Sequence, residues 1–578
     1  MATIRFRDRA LIEMDKRFLL ALVLTAVVVI ATPWIFGSPS RRGPAPADTS
    51  RSKSSSPAVA IPPRVAPPVA ESLPADSLRG TQLIARPGSA APPLVSIDTT
   101  VISTPLADFR FTNLGASPLS VALKSYRALD GSRQNVNLVS NSGALLAYQL
   151  FLGRDTLDLS RIPFTVDSGS QQSGNELAYR AVVNGTEVLI RYAFVPDSYL
   201  VRVSGSVRHP NVGNEGFIGI SLPSSLQSAE ADSLDDQQHL AYAVKPQRES
   251  AVGIPFGKLN PGERRLEPGP ITWVAAKNKY FIVGLLTPEG DAPFAEVNVI
   301  GGPRTGRNAT RASAVVVEPV RGGVFGFELY AGPQEWRRLL ALGRDFENSN
   351  PYGGFMQGVV QPFATIVMRI LLWMRETTNL SYGWVLVIFG VVVRLLLWPL
   401  NQKAMRTSMQ MSRLQPELSE IQKRHKADPQ RMQAEIMRVY KDHGLSPFSS
   451  LSGCLPMLLP MPILFALFFV FQNTIEFRGV PFLWLSDISL KDPYYIVPIV
   501  MGLSMFLLSI IGMRNSPPNP QAKIMAYVLP VMMTVFFLSL ASGLNLYYAV
   551  QNLTAIPQQW LISNERGKAS VAPTPLRT

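Results

Sequence analysis

Five apolar runs crowd the last third of the chain and constrain it more than anything else in the sequence: 382–400, 455–471, 494–513, 524–540 and 543–562, each of 17–20 residues. A helix of that length crosses about 30 Å of hydrocarbon. No water is available there to satisfy backbone N–H and C=O groups, so each run must form a helix. A sixth run, Phe18–Phe36, carries no charge and follows Arg5, Arg7, Arg9, Lys16 and Arg17. It reads as a signal peptide or an anchor. No small-x-small cleavage pattern follows, so an uncleaved anchor is expected. Met14 would itself make an ordinary start, leaving 1–13 as a dispensable extension.

Charge sets the expected topology. Net charge is +14, yet Val95–Leu340 holds 23 Lys/Arg against 23 Asp/Glu. The excess therefore lies in the N-terminus and the loops between apolar runs, where it acts as a positive-inside signal rather than a nucleic-acid face. The segment Asn401–Gly453 carries nine basic and five acidic residues. For it and the basic N-terminus to share the cytoplasm, an even number of spans must separate them. The anchor and 382–400 make two. The ambiguous stretch 355–376, "FMQGVVQPFATIVMRILLWMRE", is then expected to lie in the interface, with Met356, Val359, Phe363, Val367, Ile370 and Met374 on one face. Six spans with both termini inside follow.

Between the anchor and that stretch the pattern changes twice. Residues 38–93 are rich in Pro, Ser and Ala and read as a linker. From 94 to 345 the periodicity is two, as in "YLVRVSGSV" (199–207), and Asn184-Gly185 between β-rich runs marks a type I′ hairpin. An all-β sandwich is expected there. The single cysteine, Cys454, permits no intramolecular disulfide, so this outer domain must stand on its own core. The expected organisation is 1–37 (N-terminus and anchor), 38–93, 94–345, a helical core over 352–565, and a short cytoplasmic tail over 566–578.

Few residues could carry chemistry. The spans hold no Asp, Glu or His, and His209, His239, His425 and His443 are scattered. Protease dyads, zinc sites, P-loops and dinucleotide fingerprints are lacking, so no enzyme activity and no cofactor or metal is expected. What stands out is Arg394, inside "WVLVIFGVVVRLLLWPL" (384–400), with no acidic partner in the segment. A charge at mid-bilayer costs about 2.5–3.5 kcal/mol on insertion scales. Two readings are open: snorkelling to the cytoplasmic headgroups, about 9 Å away at Leu400, or a place in a water-filled groove. Asn545, Tyr548 and Asn552 recur at i, i+3 and i+7 on one face of the last span. They serve either helix–helix hydrogen bonding or a wet cavity facing Arg394. Pro456, Pro460, Pro462, Pro498 and Pro530 mark irregular helices.

The cytoplasmic segment 401–443 reads as a helical hairpin. Met405, Met409, Leu414, Leu418 and Ile421 form a stripe, Asp428-Pro429 starts the second helix, and Met432, Ile436, Val439 and Tyr440 face back. With Met411 and Met437 the hairpin is rich in methionine, a side chain that adapts to many apolar partners. The hairpin either packs closed on itself or captures clients.

The stretches "VVVRLLLWPLNQKAMRTSMQMSRLQPELSEIQKR" (391–424), "SGCLPMLLPMPILFALFFVF" (452–471), "DPYYIVPIVMGLSMFLL" (492–508) and "SGLNLYYAVQNLTAIPQQWLI" (542–562) resemble the YidC-type membrane protein insertases of bacteria. The anchor and large outer domain resemble the Gram-negative form, whose periplasmic domain is a β-supersandwich. That resemblance implies a five-helix core around a hydrophilic groove open to cytoplasm and lipid. It places the groove arginine on Arg394 and a functional tyrosine on Tyr548, and makes the hairpin mobile and necessary. Three positions depart from the family pattern: Gly390 replaces a common Thr, Pro460 a common Gln, and Ser446-Pro447 the usual Asn-Pro.

The expected function is insertion and folding assistance of inner-membrane proteins, alone or beside the Sec translocon. The expected partners are nascent membrane proteins and the lipid bilayer, with the ribosome and the signal-recognition machinery as further candidates and no nucleic-acid substrate. A membrane-anchored periplasmic scaffold and a channel or transporter are the alternatives.

Overall fold

The computed structural model describes residues 97–578, apart from 140–143, 154, 168–174, 210–214, 306–307, 351–356, 427, 444–460, 515–519 and 572–578. The expected anchor and linker, Cys454, Pro456, Pro460 and Ser446-Pro447 lie outside these residues.

Period-two alternation makes 99–333 a β domain. Along Ala312–Val320 every second residue, from Ala312 to Val320, points into the core. Four antiparallel strands (99–103, 107–112, 117–127, 135–137) form a small sheet. The larger sheet has 14 strands. It runs from 155–158 through 147–152, 216–221, 312–320, 294–301, 264–277, 281–286, 324–333, 200–208, 186–194 and 176–183 to 165–166, with 241–246 pairing 264–277 and 252–255 pairing 241–246. Val183 pairs with Thr186 across Asn184-Gly185, whose φ angles are +50° and +81°. Both are positive, which a type I′ turn requires and which Asn and Gly tolerate. Phe109 and Phe111 of the small sheet stack on Phe194 and Tyr192 of the large one. The buried Tyr148 and Tyr192 hydroxyls lie 2.7 Å apart and Tyr192 donates to the Ala116 carbonyl, so neither is left unsatisfied.

Nine α-helices occur among the described residues. Within the β domain and at its exit lie α1 (Ser233–Gln238) and α2 (Trp336–Ala341). The rest form the helical region: α3 (Gln357–Thr378), α4 (Tyr382–Arg424), α5 (Pro429–Asp442), α6 (Met461–Asn473), α7 (Ile496–Met513), α8 (Pro520–Phe537) and α9 (Ser542–Val571). Among the described residues Tyr382–Gln402 and Ile496–Met513 are long and apolar enough to cross a bilayer; Pro462–Asn473 and Ala526–Phe537 are apolar but shorter.

Two local readings need correcting. First, α4 is one helix of 43 residues, about 65 Å at 1.5 Å per residue. The span expected at 382–400 and the first hairpin helix are continuous, and no glycine interrupts Asn401–Arg413. Second, α3 buries Val360, Ala364, Val367, Met368, Leu371, Leu372 and Met374, while Phe363, Ile366, Ile370 and Trp373 are exposed. The expected face is thus rotated, so that Phe363 and Ile370 leave it. Apolar residues surround this helix, and the stripe chosen by spacing was one of several.

The loop from Thr474 to Tyr495 joins α6 to α7 and also docks the β domain. Arg478 Nε lies 2.8 Å from Glu230 Oε1, with both side chains at 6–7% exposure. Its guanidinium also donates to the Arg127 carbonyl and lies over the Phe281 ring. Tyr280 donates to Ser489 Oγ, and the Trp336 N–H to Glu476 Oε1.

Candidate functional site

Among the described residues helix α9 carries most of the buried polar side chains of α3–α9, and its faces point at different neighbours. Toward α4 it presents Tyr547, Gln551 and Gln558. Tyr547 stacks at 5.7 Å on Phe389. Gln551 Nε2 donates to the Gly390 carbonyl at 2.8 Å and lies 3.2 Å from the Tyr547 hydroxyl. Gly390 lets the helices approach: a Cβ there would meet Val550 Cγ1 at 3.0 Å. One turn further along α4 stands Arg394.

Arg394 is half-buried. Its Nη2 donates to Gln558 Oε1 at 2.9 Å, and Gln558 Nε2 in turn donates to the Trp398 carbonyl at 3.0 Å. Gln558 is almost fully buried and therefore fixed by these two bonds. Arg394 Nε is enclosed and has no hydrogen-bond partner, and no carboxylate pairs with this residue among the described residues. A neutral amide cannot neutralise a guanidinium, so the site keeps its positive charge and at least one unmet donor. Beside it on the same helix, Val392, Leu395 and Leu396 are exposed and apolar. A cation and an apolar helix face thus lie side by side.

Of the two readings of the row Asn545, Tyr548 and Asn552, the structure shows the helix–helix contacts. Asn545 is fully buried and donates to the Phe537 carbonyl at the turn between α8 and α9. Asn552 donates to the Met501 carbonyl of α7 at 3.3 Å. Tyr548 packs on Phe537 of α8 at 5.4 Å. The structure brings Gln558 to Arg394, and none of these three. The glutamines were missed, although Gln551 and Gln558 stand seven residues apart, two turns of one face, inside an apolar run.

The hairpin follows its sequence pattern. Asp428 caps α5 through the Arg431 N–H, with Pro429 at the first turn. Leu414, Ile421 and Val439 form its core with Leu418, Met432 and Ile436 against them. Met437 is exposed. The side chains of Met405, Met409 and Met411 lie outside the described residues.

Comparison with known proteins covers both regions. A family model described as "60Kd inner membrane protein" matches residues 373–569, and one described as "YidC periplasmic domain" matches residues 99–366. The membrane protein insertase YidC of Chlorobium phaeovibrioides is 31% identical over 592 residues, covering 96% of this chain and 97% of that protein. That of Chlorobaculum tepidum is 30% identical over 584 residues, covering 94% of each. A solved structure of an active YidC insertase is 17% identical with a TM-score of 0.32, covering 80% of this chain and 92% of that one.

Proposed function

The chain belongs to the YidC family of membrane protein insertases, and from that premise we propose how its residues perform insertion. It is an inner-membrane protein with a β-rich periplasmic domain and a helical C-terminal region; its substrates are nascent membrane proteins and its medium is the lipid bilayer. The observation that carries the mechanism is Arg394: a half-buried cation held by a neutral amide, with an unmet donor and an apolar helix face beside it.

In this reading five core spans, α4 and α6–α9, enclose a hydrophilic groove open to cytoplasm and lipid, and the anchor makes a sixth. Both termini are cytoplasmic, and α3 lies in the outer interface. A polar client segment meets Arg394 and its hydration water part-way across, which lowers the penalty of leaving bulk water. The client's apolar segment then leaves along the exposed faces of α4 and α7. Burying about 20 apolar residues at roughly 25 cal/mol per Å² supplies the driving force without a nucleotide. Tyr548 contacts the client, while Asn545 and Asn552 tie α9 to α8 and α7 so that the groove wall holds its shape. The hairpin 401–443, with Met405, Met409, Met411, Met432 and Met437, receives clients before insertion. The Sec translocon, the ribosome and the signal-recognition machinery are its working partners at the two ends of the process.

Reconstitution tests this. Purified protein in liposomes should insert a small single- or double-span client without ATP. A photo-crosslinker at Met409 or Met411 should trap a stalled client before one at Tyr548 does. Insertion no faster than in protein-free liposomes would sink the reading, and crosslinks from Tyr548 with none from the hairpin would remove the capture step.

A further inference from the structure

The loop between α6 and α7 is pinned on two sides. Toward the helices, the Ser542 N–H donates to the Leu490 carbonyl at 2.7 Å and the Gly543 N–H to Ile488 at 2.9 Å. The buried Asp492 accepts from the Val497 and Tyr494 N–H groups, capping α7. Toward the β domain, Arg478 and Ser489 make the contacts described above. What remains is a side held only by the Trp484 indole N–H, which donates to Asp492 Oδ1 at 3.3 Å, and its exposed face is apolar. A tight hairpin turn closes between Phe482 and Leu485, whose N–H and C=O groups bond reciprocally at 2.9 Å. Leu483 and Trp484 form its tip. Leu483 is 69% exposed, and Trp484 is exposed beside it. Tyr494 at 67% and Tyr495 complete the patch, and Trp384, at the first turn of α4, stacks on Phe482 at 5.4 Å.

The turn is built at a cost. Leu483 has φ of +53°, at the first central position where glycine is the usual residue. Phe482 anchors the turn so closely against α4 that a Cβ on Gly383 would fall 2.0 Å from its ring. A leucine kept in a strained backbone position, with its side chain pointing out of the protein, serves no packing purpose inside the chain. Tryptophan and tyrosine beside it are the residues that prefer the headgroup level of a bilayer. The patch is also continuous with the ends of α4 and α7, the two helices of spanning length, so lipid is its natural occupant.

We propose that the 482–485 turn, with Trp384, Tyr494 and Tyr495, is a phospholipid anchor in the outer leaflet. Leu483 enters the upper acyl region, and the aromatic rings sit at the headgroups. The loop thereby fixes the depth of α4 and α7, and through Arg478 the height of the β domain. The proposal rests on the spanning assignment of α4 and α7 given above.

The test uses the full chain with Cys454→Ser, bearing one cysteine at Leu483 or, as a reference, at Leu503, an exposed residue well inside α7. Each is labelled with an environment-sensitive fluorophore and reconstituted in phosphatidylethanolamine–phosphatidylglycerol vesicles. The label at 483 should emit blue-shifted and be quenched more by a spin label near the lipid headgroup than by one near the chain end. The label at 503 should show the reverse order. A water-like, unquenched label at 483 with a lipid-quenched label at 503 overturns the anchor and leaves the spanning assignment standing. Water-like labels at both positions overturn both. Tyr494→Cys, expected to show shallow quenching, repeats the test should Leu483→Cys not fold.

Discussion

Arg478 is buried where the β domain meets the helical region, and Arg394 is half-buried within a helix of spanning length. Arg478 has a carboxylate at 2.8 Å, two carbonyl acceptors and aromatic faces around it. Among the described residues Arg394 has one neutral amide and an Nε with no partner. Had both been placed for stability, both would be paired, because an uncompensated buried charge is among the costliest things a fold can keep. The difference separates two uses of the same side chain. Arg478 satisfies its own fold, and in the mechanism proposed above Arg394 is the cation that a client meets.

The largest expected effect breaks the paired side. Arg478→Ala leaves Glu230 buried without its hydrogen-bonded cation and should cost about 3–5 kcal/mol of stability, read as a lower melting temperature by circular dichroism in detergent. Arg478→Met combined with Glu230→Leu should recover most of it, since an apolar pair of similar volume replaces the ionic one without an orphan. A single variant as stable as the parent would mean the junction does not depend on this pair, and the contrast with Arg394 would lose its first term.

How much of this was visible in the sequence differs by region. In the β domain, alternation is locally forced: Asn184-Gly185 allowed one kind of turn, and the hairpin there has it. The capped start at Asp428-Pro429 was equally local. The helical region is apolar on nearly every face, so periodicity could not say which face of α3 was buried. It also could not say that α4 would run unbroken to Arg424. Arg394 stood out because charge in an apolar run is rare. Gln558 did not, because an amide is a weaker signal and its partner lies 164 residues away in sequence. Arg478 and Glu230 were invisible for the same reason: 248 residues separate them.

A smaller effect concerns buried acids without a cation. Burial in the strand 312–320 pushes Glu318 up to about 7 from an ordinary 4.5, and the Gly326 N–H offsets only part of that. Burial likewise pushes Glu476 up to about 7. A carboxyl whose folded value is raised holds its proton more tightly when folded. Its stabilising contribution is therefore fully present below about pH 4.5 and is lost as pH rises through about 7. The melting temperature should fall between pH 5 and pH 8 by this contribution, and Glu318→Gln should flatten the fall, worth roughly 1–3 kcal/mol at the upper end. Identical slopes in the two proteins would show that Glu318 does not titrate differently on folding.

On the unpaired side, Arg394→Ala should lower the melting temperature less than Arg478→Ala does, since it removes a half-buried charge with no carboxylate partner among the described residues and orphans only the Gln558 amide oxygen. Insertion in liposomes should fall about tenfold, which corresponds to about 1.4 kcal/mol on the barrier. Arg394→Lys should lie between. A drop in melting temperature comparable to that of Arg478→Ala would make Arg394 a structural residue after all.

The finest test turns one arginine into the other. Gln558 Oε1 already sits 2.9 Å from Arg394 Nη2, and Gln558 Nε2 bonds the Trp398 carbonyl. Gln558→Glu keeps the shape and supplies the carboxylate that Arg478 has and Arg394 lacks. The new carboxylate would stay ionised beside the guanidinium, giving a paired and neutral site. Insertion should then fall several-fold, less than in Arg394→Ala, because the arginine remains and a client can still compete for it; at about 1 kcal/mol on the barrier the expected loss is roughly fivefold. Gln558→Leu removes the amide without adding a charge, leaves the arginine unpaired, and should insert within about twofold of the parent. That pattern, Glu impaired and Leu nearly normal, follows only if the free charge is what clients use. If Gln558→Leu were the worse of the two, the amide's hold on α4 and α9 would matter more than the charge it leaves exposed, and the distinction between the two arginines would have to be drawn from helix packing instead.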